Sequence, residues 1–371
     1  MNTVRRPRLT VFIPGFDDGG VERMMVNLAR GAAELGVAVD FVTKRAEGTY
    51  LAALGDKVRL VPLGSDDPQR ALDRYLAQAQ PDALLSCKLE SDAIAIASVH
   101  RAKLPTRLYV RVGTTISAHR QAHPHHFIKH WWQTRMLRRL YRQVDGILCV
   151  SQGVADDVQR ISGLPRQLLH VPPNPVVAPE LRQLAAEPVD HPWLAPDQPP
   201  VILGAGRLGQ VKNFPLLIGA FARLRRERPC RLLILGQGKK RDELLQLGRR
   251  LGVEADLDLP GFAANPYAYM AKARLFVLSS NIEGSPNVLV EALACGTPVV
   301  ATDCRSGPRE ILDGGRYGEL VPVGDEAALA AAMRRTLEQP PSRALLEAAA
   351  QRYTLANSAH AYLRAMGLAP S

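Results

Sequence analysis

Two glutamates, Glu283 and Glu291, flank the stretch Gly284, Ser285, Pro286, Asn287 and Val288 in the run EGSPNVLVE. An ionised carboxylate only accepts hydrogen bonds, so each suits a hydroxyl-rich ligand. Ser285 can cap a helix, Pro286 suits its first position, Asn287 is polar in its first turn, and Gly296 is placed to end it. Apolar runs at Leu275–Leu278 and Pro298–Ala301 have the length of buried parallel strands. The stretch therefore predicts strand, turn, helix, strand, with the turn over the carboxyl ends of the strands, where open α/β sheets bind ligands. A helix N-terminus offers unpaired N–H groups and partial positive charge to a phosphate. Acids on both sides of such a terminus fit a phosphate flanked by hydroxyls, as in a nucleotide sugar. The same spacing also fits one Glu in a capping turn and one solvated Glu.

Other residues could join this chemistry. Arg207 and Lys212, in GRLGQVKNF, follow an apolar run at Val201–Gly206. Two cations at a strand's carboxyl end can clamp a diphosphate from two sides. By composition alone they are equally a pair of surface cations. Gly236, after the run Arg231–Leu235, permits close approach of a ligand to the backbone. Gly19 and Gly20, between a strand pattern at Leu9–Ile13 and a helical one at Val21–Leu35, could cradle a phosphate. Tight βα turns use glycine for steric reasons as well.

The segment EGSPNVLVEALACGTPVVATD resembles the E-x7-E signature of the retaining glycosyltransferases of family 4. GRL and KN around Arg207 and Lys212, GPREIL (Gly307–Leu312) and GELVPVGD (Gly318–Asp325) resemble the same family. The resemblance is strongest from Val201 to Asp325 and looser before that. It implies an α/β protein of the GT-B fold, two Rossmann-like domains with parallel sheets facing across a cleft. It implies metal-independent transfer of a hexose from a nucleotide sugar, a UDP-sugar by expectation, which is a substrate; no cofactor is expected. Glu283 would hold sugar hydroxyls and the turn Gly284–Val288 the rest of the donor. Glu291 would accept from the ribose, Arg207 and Lys212 would bind the diphosphate, Gly236 the nucleotide, and Phe262 would line the base. Gly19 and Gly20 would approach the donor phosphate and the acceptor. His119 fits by position a histidine near the acceptor. The leaving phosphate would take the acceptor's proton. A sugar-nucleotide epimerase or a phosphorylase is the rival on the same fold.

These residues need elements to hold them. The 371 residues suffice for about two domains, and 46% hydrophobic content supports proper cores. Alternating strand and helix patterns predict parallel sheets with helices on both faces. The expected division is 1–175 with the returning helix 354–371, a connection at 176–200, and 201–353. Nine prolines between Pro172 and Pro200 predict a connection with no regular element, semi-rigid and exposed.

The five cysteines have no metal-like spacing, which predicts buried thiols in a reducing, cytosolic protein. Neither a signal peptide nor a span of about 18 apolar residues is apparent. The net charge of +11 is concentrated between His100 and Val144, which hold ten Lys/Arg and no Asp or Glu. Within that stretch lie His119, His123, His125, His126 and His130, then Trp131 and Trp132. The histidines lack a regular ligand spacing, so no metal is expected, and no nucleic-acid motif is present. A basic helix with Trp suits an anionic membrane surface. The alternative is a solvated helix whose Trp residues fill the core. The combined expectation is a cytoplasmic enzyme, peripheral on the inner face of the plasma membrane, extending a lipid-linked or polysaccharide acceptor. A soluble acceptor is the alternative.

Overall fold

The computed structural model describes residues 5–14, 19–48, 50–64, 67–117 and 127–369. The chain divides into two compact units, one of Met1–Val176 with Tyr353–Ser371, the other of Val177–Arg352.

The first unit is built on seven parallel strands: β1 (Arg8–Phe12), β2 (Ala38–Thr43), β3 (Val58–Pro62), β4 (Ala83–Cys87), β5 (Arg107–Val112), β6 (Gly146–Cys149) and β7 (Leu169–His170), in the order β3-β2-β1-β4-β5-β6-β7. Side chains alternate across a strand, so Leu9 and Val11 enter one face of the sheet and Phe12 the other. The first face packs on helix α1 (Gly20–Glu34) and on the last helix of the chain, Leu355–Ala365, whose Tyr362 and Leu363 are fully buried. The second face packs on α2 (Pro68–Ala79), α3 (Leu89–Ala102), α4 (Phe127–Tyr141) and α5 (Gln152–Ser162). Burying a Leu or Phe side chain contributes about 1.5–3 kcal/mol, so this two-sided cover holds the strand ends in place. Ser151 caps α5 as its sequence predicts, accepting from Val154 N at 3.3 Å.

The second unit begins earlier than the sequence predicts. Val177–Pro200 belongs to it and is not a structureless connection: it holds α6 (Leu181–Ala186) and a 3₁₀ turn at Pro192–Leu194. The prolines fall outside the run LRQLAA, and Pro192 occupies a first helical position, where its missing N–H costs nothing. The segment is docked on its own unit. Asn265 donates to Leu184 O at 2.8 Å, His191 meets Asp258 at 3.1 Å, and Arg231 lies over the Trp193 ring at 5.0 Å.

Six parallel strands follow, β8 (Val201–Ala205), β9 (Arg231–Leu235), β10 (Leu257–Gly261), β11 (Leu275–Leu278), β12 (Val299–Thr302) and β13 (Glu319–Val321), in the order β10-β9-β8-β11-β12-β13. The helices of this unit are α7 (Phe214–Glu227), α8 (Arg241–Arg250), α9 (Pro266–Lys272), α10 (Asn287–Ala294), α11 (Pro308–Ile311), α12 (Glu326–Glu338) and α13 (Arg343–Ala350). The chain's last helix is α14 (Leu355–Ala365). In each sheet the order reverses beside the first strand of the unit, between β1 and β4 and between β8 and β11. Such a reversal opens a crevice at the carboxyl ends of the strands, and ligands of open α/β sheets bind there. All five cysteines are buried and free, which fits the reading of the thiols.

Candidate functional site

At the β8/β11 reversal, the loop after β8 carries Arg207 and Lys212, and the loop after β11 carries Glu283. The Lys212 ammonium donates to Glu283 Oε1 at 2.6 Å, and Ser280 Oγ donates to the same oxygen at 2.6 Å. Hydrogen bonds tie the two loops, with Asn281 N donating to Val211 O at 2.8 Å and the Ser279 Oγ side chain to Lys212 O at 2.8 Å. Arg207 is exposed and, among the described residues, makes no ion pair. The two cations are therefore unequal. Lys212 spends part of its charge on Glu283, while Arg207 is open to an incoming anion.

Gly236 ends β9 at φ +134°, and a Cβ there would stand 2.0 Å from Gly206 O. Only glycine fits, because a Cβ would collide with the β8 loop that the chain crosses; its N–H donates to Gly261 O at 2.7 Å. Phe262 follows Gly261 and is 70% exposed.

The Glu283 loop leads into α10. Its helical residues begin at Asn287, with Pro286 extended at the N-cap position and no side-chain cap. Ser285 is thus not the cap, nor is Pro286 the first helical residue, as the sequence reading has them. Pro286 at φ −72° and ψ 99° keeps the chain extended one residue longer. Cys295 and Gly296 end the helix, Gly296 at φ +73°, as expected. Gly307 explains the GPREI stretch: at φ +94°, its Cβ would lie 2.6 Å from Pro286 Cδ and 3.0 Å from Gly284 O. The α11 turn packs under the Gly284–Pro286 loop at backbone contact. Ser306 Oγ donates to Glu283 O at 2.8 Å. Glu291 lies within α10 and is 1% exposed, so a ligand reaches it only by entering that buried position. Burial pushes the nearby Cys295 and Cys304 thiols up to about 12, so neither is a nucleophile at neutral pH.

At the β1/β4 reversal of the first unit, Gly19 and Gly20 open α1. The Gly19 N–H is not open to a phosphate: it donates to Glu22 Oε2 at 3.1 Å. Glu22 is 2% exposed, and its other oxygen pairs with Lys88 Nζ at 2.5 Å. An anion at this terminus therefore has to displace a carboxylate already there. Lys88 joins β4 to α3 at φ +84°, which is costly for a residue with a Cβ. Glu22 is legible in the sequence as the third residue of a capped helix, GGVE; its pairing with Lys88 is not.

Sequence reasoning also missed Asp92 and Arg111. Asp92 is 1% exposed, bonded to Ser86 Oγ and, at 3.3 Å, to Tyr141 Oη. Burial pushes its carboxyl up to about 7, against the two hydrogen bonds. Asn174, which follows β7, is a buried strut. It accepts from Arg111 Nη2 at 2.7 Å, and its carbonyl accepts from Ser358 Oγ at 3.1 Å.

His119, His123, His125 and His126 lie outside the described residues. In α4, Trp131 and Trp132 are 57% and 61% exposed, with their rings edge-on at 5.1 Å. They do not fill the core; Leu137 and Tyr141 do. The exposed side of α4 is a groove of about 860 Å³ lined by Trp131, Arg135, Arg138, Arg139 and Arg142. Among the described residues, no group of three His, Cys, Asp or Glu is placed to hold a metal ion.

Two family descriptions match the chain, "Glycosyl transferases group 1" over residues 187–353 and "Glycosyltransferase Family 4" over residues 18–178. A Campylobacter jejuni protein is 38% identical over 56% of this chain and 55% of its own length. It is named an N-acetylgalactosamine-N,N'-diacetylbacillosaminyl-diphospho-undecaprenol 4-alpha-N-acetylgalactosaminyltransferase. The chain thus spans about half the length of that relative. A lipopolysaccharide core biosynthesis glycosyltransferase of Rhizobium meliloti, LpsD, is 25% identical over 89% of this chain and 88% of its own. Among solved structures, Anabaena HepE in complex with UDP superposes with a TM-score of 0.74 at 19% identity, covering 98% of this chain and 100% of that one. That likeness concerns the fold.

Proposed function

The chain belongs to the family 4 glycosyltransferases of the GT-B fold, and from that premise we propose that it moves a hexose from a nucleotide sugar to a surface glycan with retention. The observation that carries this is the cluster at the β8/β11 reversal, an open Arg207 beside a Lys212 held at 2.6 Å from Glu283.

The largest charge in such a transfer develops on the departing diphosphate, so cations fixed around it do most for the rate. Lys212 has three N–H donors, and Glu283 takes one of them. Those left, with Arg207 and the N–H groups at the start of α10, face the diphosphate. Glu283 keeps an oxygen for a sugar hydroxyl, Glu291 takes the ribose hydroxyls, and the Phe262 ring stacks on the base. The bond between the anomeric carbon and the diphosphate oxygen breaks as the acceptor oxygen bonds to the same face. The leaving phosphate takes the acceptor's proton, so no side-chain base is assigned. In this reading the two cations do the work a metal ion would otherwise do, and turnover persists in EDTA. UDP is the favoured carrier, supported by the nucleotide held by HepE.

The acceptor is a lipid-linked or lipopolysaccharide-type glycan, by analogy with what the relatives are named for. No described helix is long and apolar enough to cross a membrane. In this reading α4 meets the cytoplasmic membrane surface, with Trp131 and Trp132 at the head-group level and Arg135 and Arg139 toward anionic lipid.

The test is turnover of a panel of nucleotide sugars with a lipid-linked glycan acceptor. Transfer should appear with at least one donor, with product NMR showing the donor's anomeric configuration. An inverted product refutes retention. Interconversion of the nucleotide sugar with no acceptor present would mark an epimerase instead.

A further inference from the structure

The first unit holds a second candidate site at the carboxyl ends of β4 and β5. There a pocket of about 380 Å³ is lined mainly by apolar groups, among them Leu89, Val112, Ile116 and Leu137. Arg111 also lines it and is 5% exposed. An arginine side chain stays charged in a protein, and a buried charge is costly without an opposite charge beside it. Yet, among the described residues, the Arg111 guanidinium hydrogen-bonds only to neutral partners. Nε donates to Tyr362 Oη at 3.1 Å and Nη2 to Asn174 Oδ1 at 2.7 Å. Among the described residues, no carboxylate pairs with it. Glu22 is committed to Lys88. Asp92, on the pocket wall, has its carboxyl pushed up to about 7 by burial, so much of it is neutral at physiological pH. The third nitrogen, Nη1, stands 3.4 Å from where a side chain at the exposed Gly113 would begin. Gly113, which also lines the pocket, has none, so no side chain at that position covers this nitrogen.

We propose that this pocket binds an anionic group carried on an apolar body, the anion against Arg111 and the body along the apolar wall. A phosphate on a prenyl or acyl chain has this chemistry, either free or as the lipid end of a larger acceptor. The site stands whether or not the chain transfers sugar, because binding is read without turnover.

Isothermal titration of the full chain with three probes tests it: geranyl phosphate, geraniol and glucose 1-phosphate. Geranyl phosphate should bind at least ten-fold more tightly than either of the others. Geraniol binding equally well would remove the anion site. Glucose 1-phosphate binding equally well would remove the apolar one. Arg111→Gln should abolish the preference for geranyl phosphate over geraniol. Because that change also cuts the bonds to Tyr362 and Asn174, Leu89→Trp serves as the second variant. It fills the pocket, leaves the Arg111 bonds intact, and should block geranyl phosphate with an unchanged melting temperature. Full binding in Leu89→Trp would place the ligand elsewhere and overturn the proposal.

Discussion

Lys212 and Arg207 look alike in sequence and differ in the fold, and the difference predicts different phenotypes. In the proposed mechanism Lys212→Ala removes a donor to the departing diphosphate, and it also strips Glu283 of its cation, so kcat should fall by on the order of 10²–10³. Arg207→Ala should raise the Kd for the nucleotide by about ten-fold, ~1.4 kcal/mol, with little change in melting temperature. Titration and initial rates separate the two; equal effects on Kd would contradict the asymmetry. Asp92 gives a pH prediction. Burial raises its carboxyl from 3.8 to about 7, so the folded protein keeps a proton that the unfolded chain releases. This contribution to stability is fully present below pH ~3.8 and is lost as pH rises through ~7. Asp92→Asn should flatten the stability profile between those values in urea titrations, and an unchanged slope would mean that the native carboxylate is ionised. Glu283 and Glu291 were legible because a glycine–proline turn between two apolar runs marks a strand–helix junction. Asp92 and Arg111 were not. Both sit in ordinary sequence, and only packing from α4 and α14 reveals that one is a buried acid and the other a buried cation.

At the scale of elements, the apolar runs and the Gly and Pro signals located β1, α1, β8, β9, β11 and β12 to within a residue or two. Where the reading failed, a specific local property had won. Pro286 delayed α10 by one residue. The proline-free run LRQLAA formed α6 inside a stretch expected to hold no regular element. In α8, after β9 and the Gly236 turn, Asp242 and Glu243 in the first turn and Arg249 and Arg250 in the last complement the helix dipole. Gly307 carries the prediction at this scale. Gly307→Ala puts a Cβ 2.6 Å from Pro286 Cδ at a φ of +94°, which should cost more than about 1 kcal/mol. It should also displace the Gly284–Pro286 loop. The melting temperature and KM for the donor are therefore expected to change together; a lower melting temperature with an unaltered KM would detach α11 from the donor site.

For the whole molecule, the two-unit plan was legible from chain length and the resemblance, and the parallel sheets from βα alternation, whereas the surface it presents was not. Amphipathic counting cannot tell whether two tryptophans turn inward or outward, and here they turn outward. Liposome co-sedimentation should show binding to anionic but not neutral vesicles, lost at high salt and in the variant Trp131→Ala, Trp132→Ala, Arg135→Ala, Arg139→Ala. That variant retains Arg138, which holds Ile161 O at 2.6 Å, so its fold should persist. Absence of binding to anionic vesicles at low salt would leave α4 a solvated helix. The central claim is narrower: a nucleotide diphosphate is held at the β8/β11 reversal by Arg207 and Lys212. It is tested most directly by calorimetric titration of the wild-type chain and the Arg207→Ala, Lys212→Ala double variant with UDP, GDP, ADP and TDP. The predicted result is one-to-one binding of at least one nucleotide, UDP first, lost in the double variant. Binding of none by the wild type, or equal binding by the variant, would contradict it.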